Sequence, residues 1–270
     1  MVDWARIERI EVETGHPVAV DSPDHLSPFG TSRDNSTNPL FNEKLYRLFA
    51  GLGRMPRVLD LGCSGGGFVR SCVDDGCLAV GIEGSDHSRR FGRAEWPRGD
   101  GKFLFTADIT KPFSVVGVSD GERVPLTFDL VTSWEVMEHI AEADVPAVFE
   151  NIRRHLAPNG LVVLSISTNE HDVHDHDAGE THHLHQTVRP ASWWLSRLAA
   201  EGLDHHPEYV RFFNTQFIRG PKQNAPGSFH LVLCRRRDSP PAPPPVSVKR
   251  TIYERWIGST PQRTLRRLVG

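Results

Sequence analysis

Trp134-Glu135-Val136-Met137-Glu138-His139 sets two carboxylates and an imidazole within a few residues of one another. On one helical turn, positions i, i+3 and i+4 share a face, which would gather Glu135, Glu138 and His139. Such a group suits a divalent metal, and without a metal His139 is a natural general base. Further on, His171, His174, His176, His182, His183 and His185 crowd one stretch with Asp172, Asp175, Asp177 and Glu180, and hold six of the chain's 14 histidines. His171–His176 alone reads as a hydrated loop. What matters is whether the scaffold brings this stretch back to Glu138 and His139.

From Arg57 onward, short apolar runs alternate with helical spacings. Arg57–Leu61, Leu78–Ile82, Phe103–Thr106, Phe128–Ser133 and Leu161–Ile166 are too short for helices and are bounded by Gly, Asp or Pro. Between them the spacing predicts helices over Gly67–Asp75, His87–Ala94 and Asp144–Leu156. Runs that are almost wholly apolar predict a parallel sheet covered on both faces. Asn38–Leu52 predicts a preceding helix capped by Asn38 with Pro39 in its first turn. Pro190–Glu201 predicts another, burying at least one of Trp193 and Trp194, and Ser228–Cys234 reads as a late strand. Sites in such sheets form beyond the carboxyl ends of the strands. The 134–139 run follows the fourth strand and the histidine stretch follows the fifth, so both belong to that edge.

Val58-Leu59-Asp60-Leu61-Gly62-Cys63-Ser64-Gly65-Gly66-Gly67 reads as a strand, a glycine-rich turn and a helix start. The dinucleotide pattern G-x-G-x-x-G is absent, because Ser64 stands two residues after Gly62. A carboxylate at Asp60 would repel a pyrophosphate. It suits a ligand with an ammonium and a sulfonium, S-adenosylmethionine (SAM). Glu83-Gly84 ends the second strand in a carboxylate able to accept both ribose hydroxyls. Asp108-Ile109 ends the third, placed for the adenine amino group, and Trp134 ends the fourth beside the methyl donor. Asp60, Glu83, Asp108 and Asp129 recur at one strand-plus-helix unit each. The expected cofactor contacts are Asp60, Gly62, Ser64, Gly66, Glu83, Gly84, Asp108, Ile109 and Trp134.

With these motifs in order, residues 38–235 resemble the class I SAM-dependent methyltransferases. The resemblance implies a Rossmann-like α/β fold: a mostly parallel seven-stranded sheet with helices on both faces. The run from His155 through Pro158 to Ser165 looks like the family's turn into its fifth strand, while Ser64 departs from its commoner glycine. Glu135-x-x-Glu138-His139 followed by His185 is similar to the metal set of small-RNA 3′-terminal 2′-O-methyltransferases. Together with the segment Thr181–Pro190 it also resembles ubiquinone-pathway O-methyltransferases. The first likeness implies a divalent metal on Glu135, Glu138, His139 and His185, and the second a divalent cation on the Glu135-x-x-Glu138-His139 run; Mg or Mn is the expected ion, and His139 and His185 are the expected catalytic residues. An alcohol needs a base or a cation to give up its proton, and an amine needs far less. The expected reaction is therefore O-methylation of a hydroxylated small molecule, glycan or lipid-linked metabolite. A small-RNA terminal 2′-O-methyltransferase and a catalytically silent SAM-binding module are the alternatives.

Composition bounds the rest. The 270 residues carry 31 Lys+Arg and 34 Asp+Glu, a formal net charge of −3, and 9% aromatics, which excludes wholesale disorder. Residues 249–270 hold six bases against Glu254, or +5, so a net charge of −3 means that residues 1–248 carry −8. So acidic a body argues against nucleic acid as a partner. The basic, amphipathic tail suits anionic lipid or an acidic partner. Cys63, Cys72, Cys77 and Cys234 form neither a disulfide framework nor a zinc knuckle. Met1–Glu13 lacks the apolar run of a signal peptide, so the expected location is cytoplasmic, with the tail as a peripheral membrane contact. The sequence divides into an irregular arm over 1–37 with Arg33–Ser36 as part of a lid, a methyltransferase domain over 38–237, a proline-rich linker over 238–248, and the tail over 249–270.

Overall fold

The computed structural model describes residues 7–28, 35–175, 180–219 and 227–257. The strands are β1 (Arg9–Thr14), β2 (Val58–Leu61), β3 (Ala79–Glu83), β4 (Leu104–Thr106), β5 (Phe113–Ser119), β6 (Glu122–Pro125), β7 (Phe128–Trp134), β8 (Leu156–Ser167), β9 (Asp172–Asp175), β10 (Glu180–His183), β11 (Leu203–His205) and β12 (Ser228–Arg235). The helices are α1 (Pro23–Leu26), α2 (Pro39–Leu48), α3 (Gly67–Asp74), α4 (His87–Arg90), α5 (Trp96–Gly99), α6 (Val145–His155), α7 (Ala191–Ala200), α8 (Pro207–Phe213) and α9 (Val248–Trp256).

Seven strands form the main sheet in the order β11-β12-β8-β7-β2-β3-β4. The pairs β8–β7, β7–β2, β2–β3 and β3–β4 are parallel, and β12 runs against both of its neighbours. Alternate residues of each central strand serve opposite layers, as the two-residue repeat of a strand requires. Val58, Leu130 and Val163 join Phe41, Phe68 and Phe213 on one face, while Leu59, Val131 and Val162 join Val148, Phe149 and Trp194 on the other. This is the mostly parallel, doubly covered seven-stranded sheet expected from the sequence.

Other elements depart from the reading of the sequence. Within the supposed irregular arm, Arg9–Thr14 is a strand that pairs antiparallel with β5, and β5 pairs with β6, making a second sheet of three strands. The helix expected over His87–Ala94 ends at Arg90, and Ala94 sits at a positive φ of 48°. The histidine stretch contains the antiparallel hairpin β9–β10. The 238–248 segment is not a free spacer. The Tyr209 hydroxyl donates to the carbonyls of Pro240 and Pro241, and Asn159 bonds the backbone of Ser239 and the side chain of Asp238. Beyond it α9 lies against the body through Lys44 and Glu254, both almost fully buried and 2.7 Å apart.

Candidate active site

The turn after β2 is built by backbone bonds that hold it against β3. Gly62 and Cys63 both donate to the Ile82 carbonyl, and Gly66 donates to that of Cys63. Gly62 has φ 75°, and a Cβ there would lie 2.3 Å from a Val136 methyl, so the close pass of the 134–139 loop needs glycine. Ser64 also lies in the left-handed region, at φ 48°, which accounts for the glycine common at this place. Its N–H donates to Glu83 Oε2 at 2.6 Å and its carbonyl accepts the Trp96 indole at 2.8 Å.

Glu83 therefore ties two strand ends together, because its Oε1 accepts the Ser85 N–H at 3.1 Å. Burial raises its carboxyl pKa, and the backbone donors Ser85 and Ser64 pull the other way. Asp60 is buried at the end of β2 and accepts the Thr132 hydroxyl at 2.6 Å. Asp108 Oδ1 accepts the Thr110 N–H and hydroxyl, while its own N–H donates to the His16 carbonyl.

Two neighbouring cavities share this edge of the sheet. One, of about 430 Å³, is lined by Gly62, Ser64, Trp134, Glu135, Glu138, His171, His185 and Arg219 among others. The second, of about 370 Å³, is lined by Gly84, Ser85, Asp108, Ile109 and Lys111 among others. Gly62, Glu83, His139 and Asp24 line both. Seven of the expected cofactor residues thus face the cavities. Asp60 and Gly66 do not line them. Asp60 is engaged by the Thr132 hydroxyl of β7, and Gly66 starts α3 with φ 82° against Leu104. Asp129, the last of the evenly spaced acids, stands near the start of β7, where Arg54 and Arg57 bond it. Against burial, those two guanidinium groups hold its carboxyl pKa below the usual range. It is a clamp at the far edge of the sheet.

The acid–histidine group is closed by three of the four residues expected. Ligand atoms of Glu138, His139 and His185 lie within 4.8 Å of one another. Glu135 stands apart: at φ 54° it precedes the 3-10 turn Met137–His139, and its carboxylate accepts from Arg219 at 3.1 Å and Ser228 at 2.7 Å. Glu138 is fully buried. Its Oε1 accepts the Ser167 N–H at 2.9 Å, while its Oε2 has no hydrogen-bond partner among the described residues. Burial pushes its carboxyl up to about 7.

The His185 ring meets that of His139 edge-on at 4.6 Å and that of His171 at 5.3 Å. His185 Nδ1 is bonded to the Asn169 carbonyl, which leaves Nε2 as its free lone pair. Backbone N–H groups of Gln186 and Thr187 donate to the Glu138 carbonyl, pinning the end of the histidine stretch to the 3-10 turn. His176 lies outside the described residues, as do the side chains of His174 and His182; His183 pairs with Asp172 at the surface.

Sequence reasoning passed over Asp24 and Arg219. Asp24 Oδ2 lies 2.9 Å from His139 Nδ1, an ion pair without hydrogen-bond alignment. Burial favours the neutral His139 ring, but Asp24 outweighs it and raises the pKa. The segment carrying Asp24 is laid across the strand ends by the His16–Asp108 bond and by the Ala19 N–H to the Gly84 carbonyl. Of the expected lid, Arg33 and Asp34 lie outside the described residues, while the Asn35 carbonyl lies where a Cβ on Gly67 would stand 2.5 Å away.

A doubly covered, mostly parallel sheet with one reversed strand and its cavities at the carboxyl edge defines a Rossmann-like nucleotide-binding class of enzyme. Residues 35–217 match the methyltransferase domain family. The chain belongs to that family. It is 27% identical over 172 residues to the mitochondrial ubiquinone biosynthesis O-methyltransferase of Schizosaccharomyces pombe, covering 57% of each chain. It is 32% identical over 111 residues to the ubiquinone biosynthesis O-methyltransferase of Neisseria meningitidis, covering 40% of this chain and 43% of that protein. The chain spans about half the length of these curated relatives. Among solved structures, the DhpI–SAH complex superimposes with a TM-score of 0.53 at 18% identity, covering 83% of this chain and 100% of that one, a likeness of fold. No helix among the described residues is long and apolar enough to cross a membrane.

Proposed function

We propose that the protein transfers the methyl group of SAM to a hydroxyl oxygen, with Glu138, His139 and His185 at the acceptor. The observation that carries this is the fully buried Glu138, whose Oε2 lacks a donor among the described residues while two imidazoles stand beside it. The name of the two relatives, O-methyltransferases of ubiquinone biosynthesis, supports oxygen as the acceptor atom. Glu83 takes the ribose hydroxyls of SAM, Asp108 and Ile109 border its adenine, and Gly62, Ser64 and Trp134 border its methionine end.

One carboxylate oxygen and two imidazole nitrogens fit a divalent cation. When bound, the cation lowers the pKa of an acceptor hydroxyl. Glu138, His139 and His185 would hold it; Glu135, engaged with Arg219 and Ser228, would not. The second shell fits as well, since Asp24 faces Nδ1 of His139 and the Asn169 carbonyl faces Nδ1 of His185, each orienting its ring. His171 is exposed, borders the same cavity and is free to carry the acceptor's proton to water. Alignment of the two substrates in the cleft supplies about 7–11 kcal/mol of the barrier reduction.

A cavity of about 430 Å³ accepts one substituted ring or a short polar head, and its open side leaves room for a longer substituent. A hydroxylated aromatic or lipid-linked metabolite is the favoured acceptor. The test is incubation with methyl-labelled SAM and ortho-dihydroxy aromatics of graded chain length. Labelled methyl ether that disappears in Glu138→Gln supports the reading, and labelled amines in a parallel amine series with no ether would overturn it.

A further inference from the structure

The outer face of α9 is unused by the methyltransferase fold. Its inner face is fastened: Glu254 is buried 2.7 Å from Lys44, and Arg250 bonds Glu254 at 2.7 Å and Glu43 at 3.0 Å. The outer face carries Val248, Ile252 and Trp256, one helical turn apart, followed by Ile257, with exposures of 76%, 54%, 76% and 50%. These make up half of the large exposed apolar side chains among the described residues. Single exposed apolar residues are ordinary; a contiguous stripe on one helix marks a contact surface.

Charge decides the kind of partner. Residues 249–270 contain Lys249, Arg250, Arg255, Arg263, Arg266 and Arg267 against the single acid Glu254. That acid is buried against Lys44 and Arg250, so it offers no negative charge to a partner. The segment is therefore basic and apolar, attached to a body of −8. We propose that α9 seats the protein on an anionic lipid surface, the Val248–Ile252–Trp256 stripe entering the interfacial layer, with Lys249 and the basic sequence that follows, Arg250 apart, supplying attraction to headgroups. A convex helix needs no shaped partner to bury such a stripe in lipid, and tryptophan favours the interface between hydrocarbon and water.

The attachment also relates this surface to the cleft. Gln216 bonds the Glu254 carbonyl through Nε2 and the Asn38 amide through Oε1, and Arg219, three residues on, lines the larger cavity. A seated α9 holds the cavity wall close to the membrane, where a lipid-linked acceptor would be concentrated.

The test is flotation of the full chain with vesicles of phosphatidylcholine alone and of phosphatidylcholine mixed with phosphatidylglycerol. The expected result is binding to the anionic vesicles only, weakened by salt. The double variant Ile252→Ser/Trp256→Ser should bind those vesicles at least about tenfold less, with unchanged melting temperature and SAM affinity. Equal binding to both vesicle types, no flotation with either, or undiminished binding by the double variant overturns the proposal. So does retention on polyglutamate without vesicle binding, which would assign the bases to an acidic protein. None of these readouts depends on the identity of the methyl acceptor.

Discussion

In the proposed SAM site, Glu83 is the residue that ties the cleft together. Its two oxygens hold the N–H groups of Ser64 and Ser85 and so keep the loop after β2 against the end of β3. A charge-assisted bond to a ribose hydroxyl contributes about 1.5–3 kcal/mol. Glu83→Gln should therefore raise the Kd for SAM by roughly 10–100-fold while the protein melts within a few degrees of the parent; calorimetry and thermal unfolding check both. That the glycine-rich turn, Glu83 and Asp108 meet at one edge of the sheet was legible in the sequence, because each sits at a fixed step from a strand end. Glu135 was misread for a definite reason. Spacing by three and four residues joins side chains only on a regular helical turn, and a positive φ at Glu135 throws its carboxylate toward Arg219 and Ser228. Those partners are 84 and 93 residues away, and Asp24 is more distant from His139 still, so no local pattern announces them.

Among the elements, the junction of α6 with β5 carries a pH dependence. His155 Nδ1 is bonded to the Asn151 carbonyl at 2.8 Å, and its Nε2 accepts the Val115 N–H at 3.1 Å, so the neutral ring satisfies both contacts. It also stacks on Phe113 with ring centres 4.6 Å apart. Burial lowers its pKa from 6.5 to about 4. Between those values the unfolded chain takes up a proton that the folded chain refuses. Stability is then full above pH 6.5 and falls as the pH drops toward 4, by a total on the order of 3 kcal/mol. Denaturant unfolding across that range should show the slope, and His155→Gln should flatten it. Equal slopes in the two proteins would contradict the assignment.

The same junction marks what the element pattern hid. β1 does alternate, with Ile10 and Val12 set between Arg9, Glu11 and Glu13, but a single short alternating run beside Pro- and Asp-rich sequence has no visible partner. Its register with Val115–Val118 exists only in three dimensions.

For the whole molecule, the tail decides how far the fold extends. The six bases were plain in the sequence, but not that the one acid among them is spent inside the protein. Lys44 and Glu254 are exposed by only 1% and 0% of their side chains. Removing one partner of such a pair leaves a buried charge and costs about 3–5 kcal/mol, whereas replacing both with apolar residues is close to neutral. Glu254→Ala should lose that much in chemical denaturation, and Lys44→Met/Glu254→Leu should recover most of it. A single variant as stable as the parent would mean that α9 is detachable from the body.

The claim that organises the molecule is that the sheet edge, the 3-10 turn and the end of the histidine stretch converge to hold a divalent cation on Glu138, His139 and His185 at the acceptor. Titration of Mn²⁺ into the metal-stripped full chain, followed by calorimetry, tests it most directly. One equivalent should bind, with affinity weakened by about 100-fold or more in Glu138→Gln and little changed in Glu135→Gln. Absence of binding, or binding that Glu138→Gln leaves intact, would contradict it.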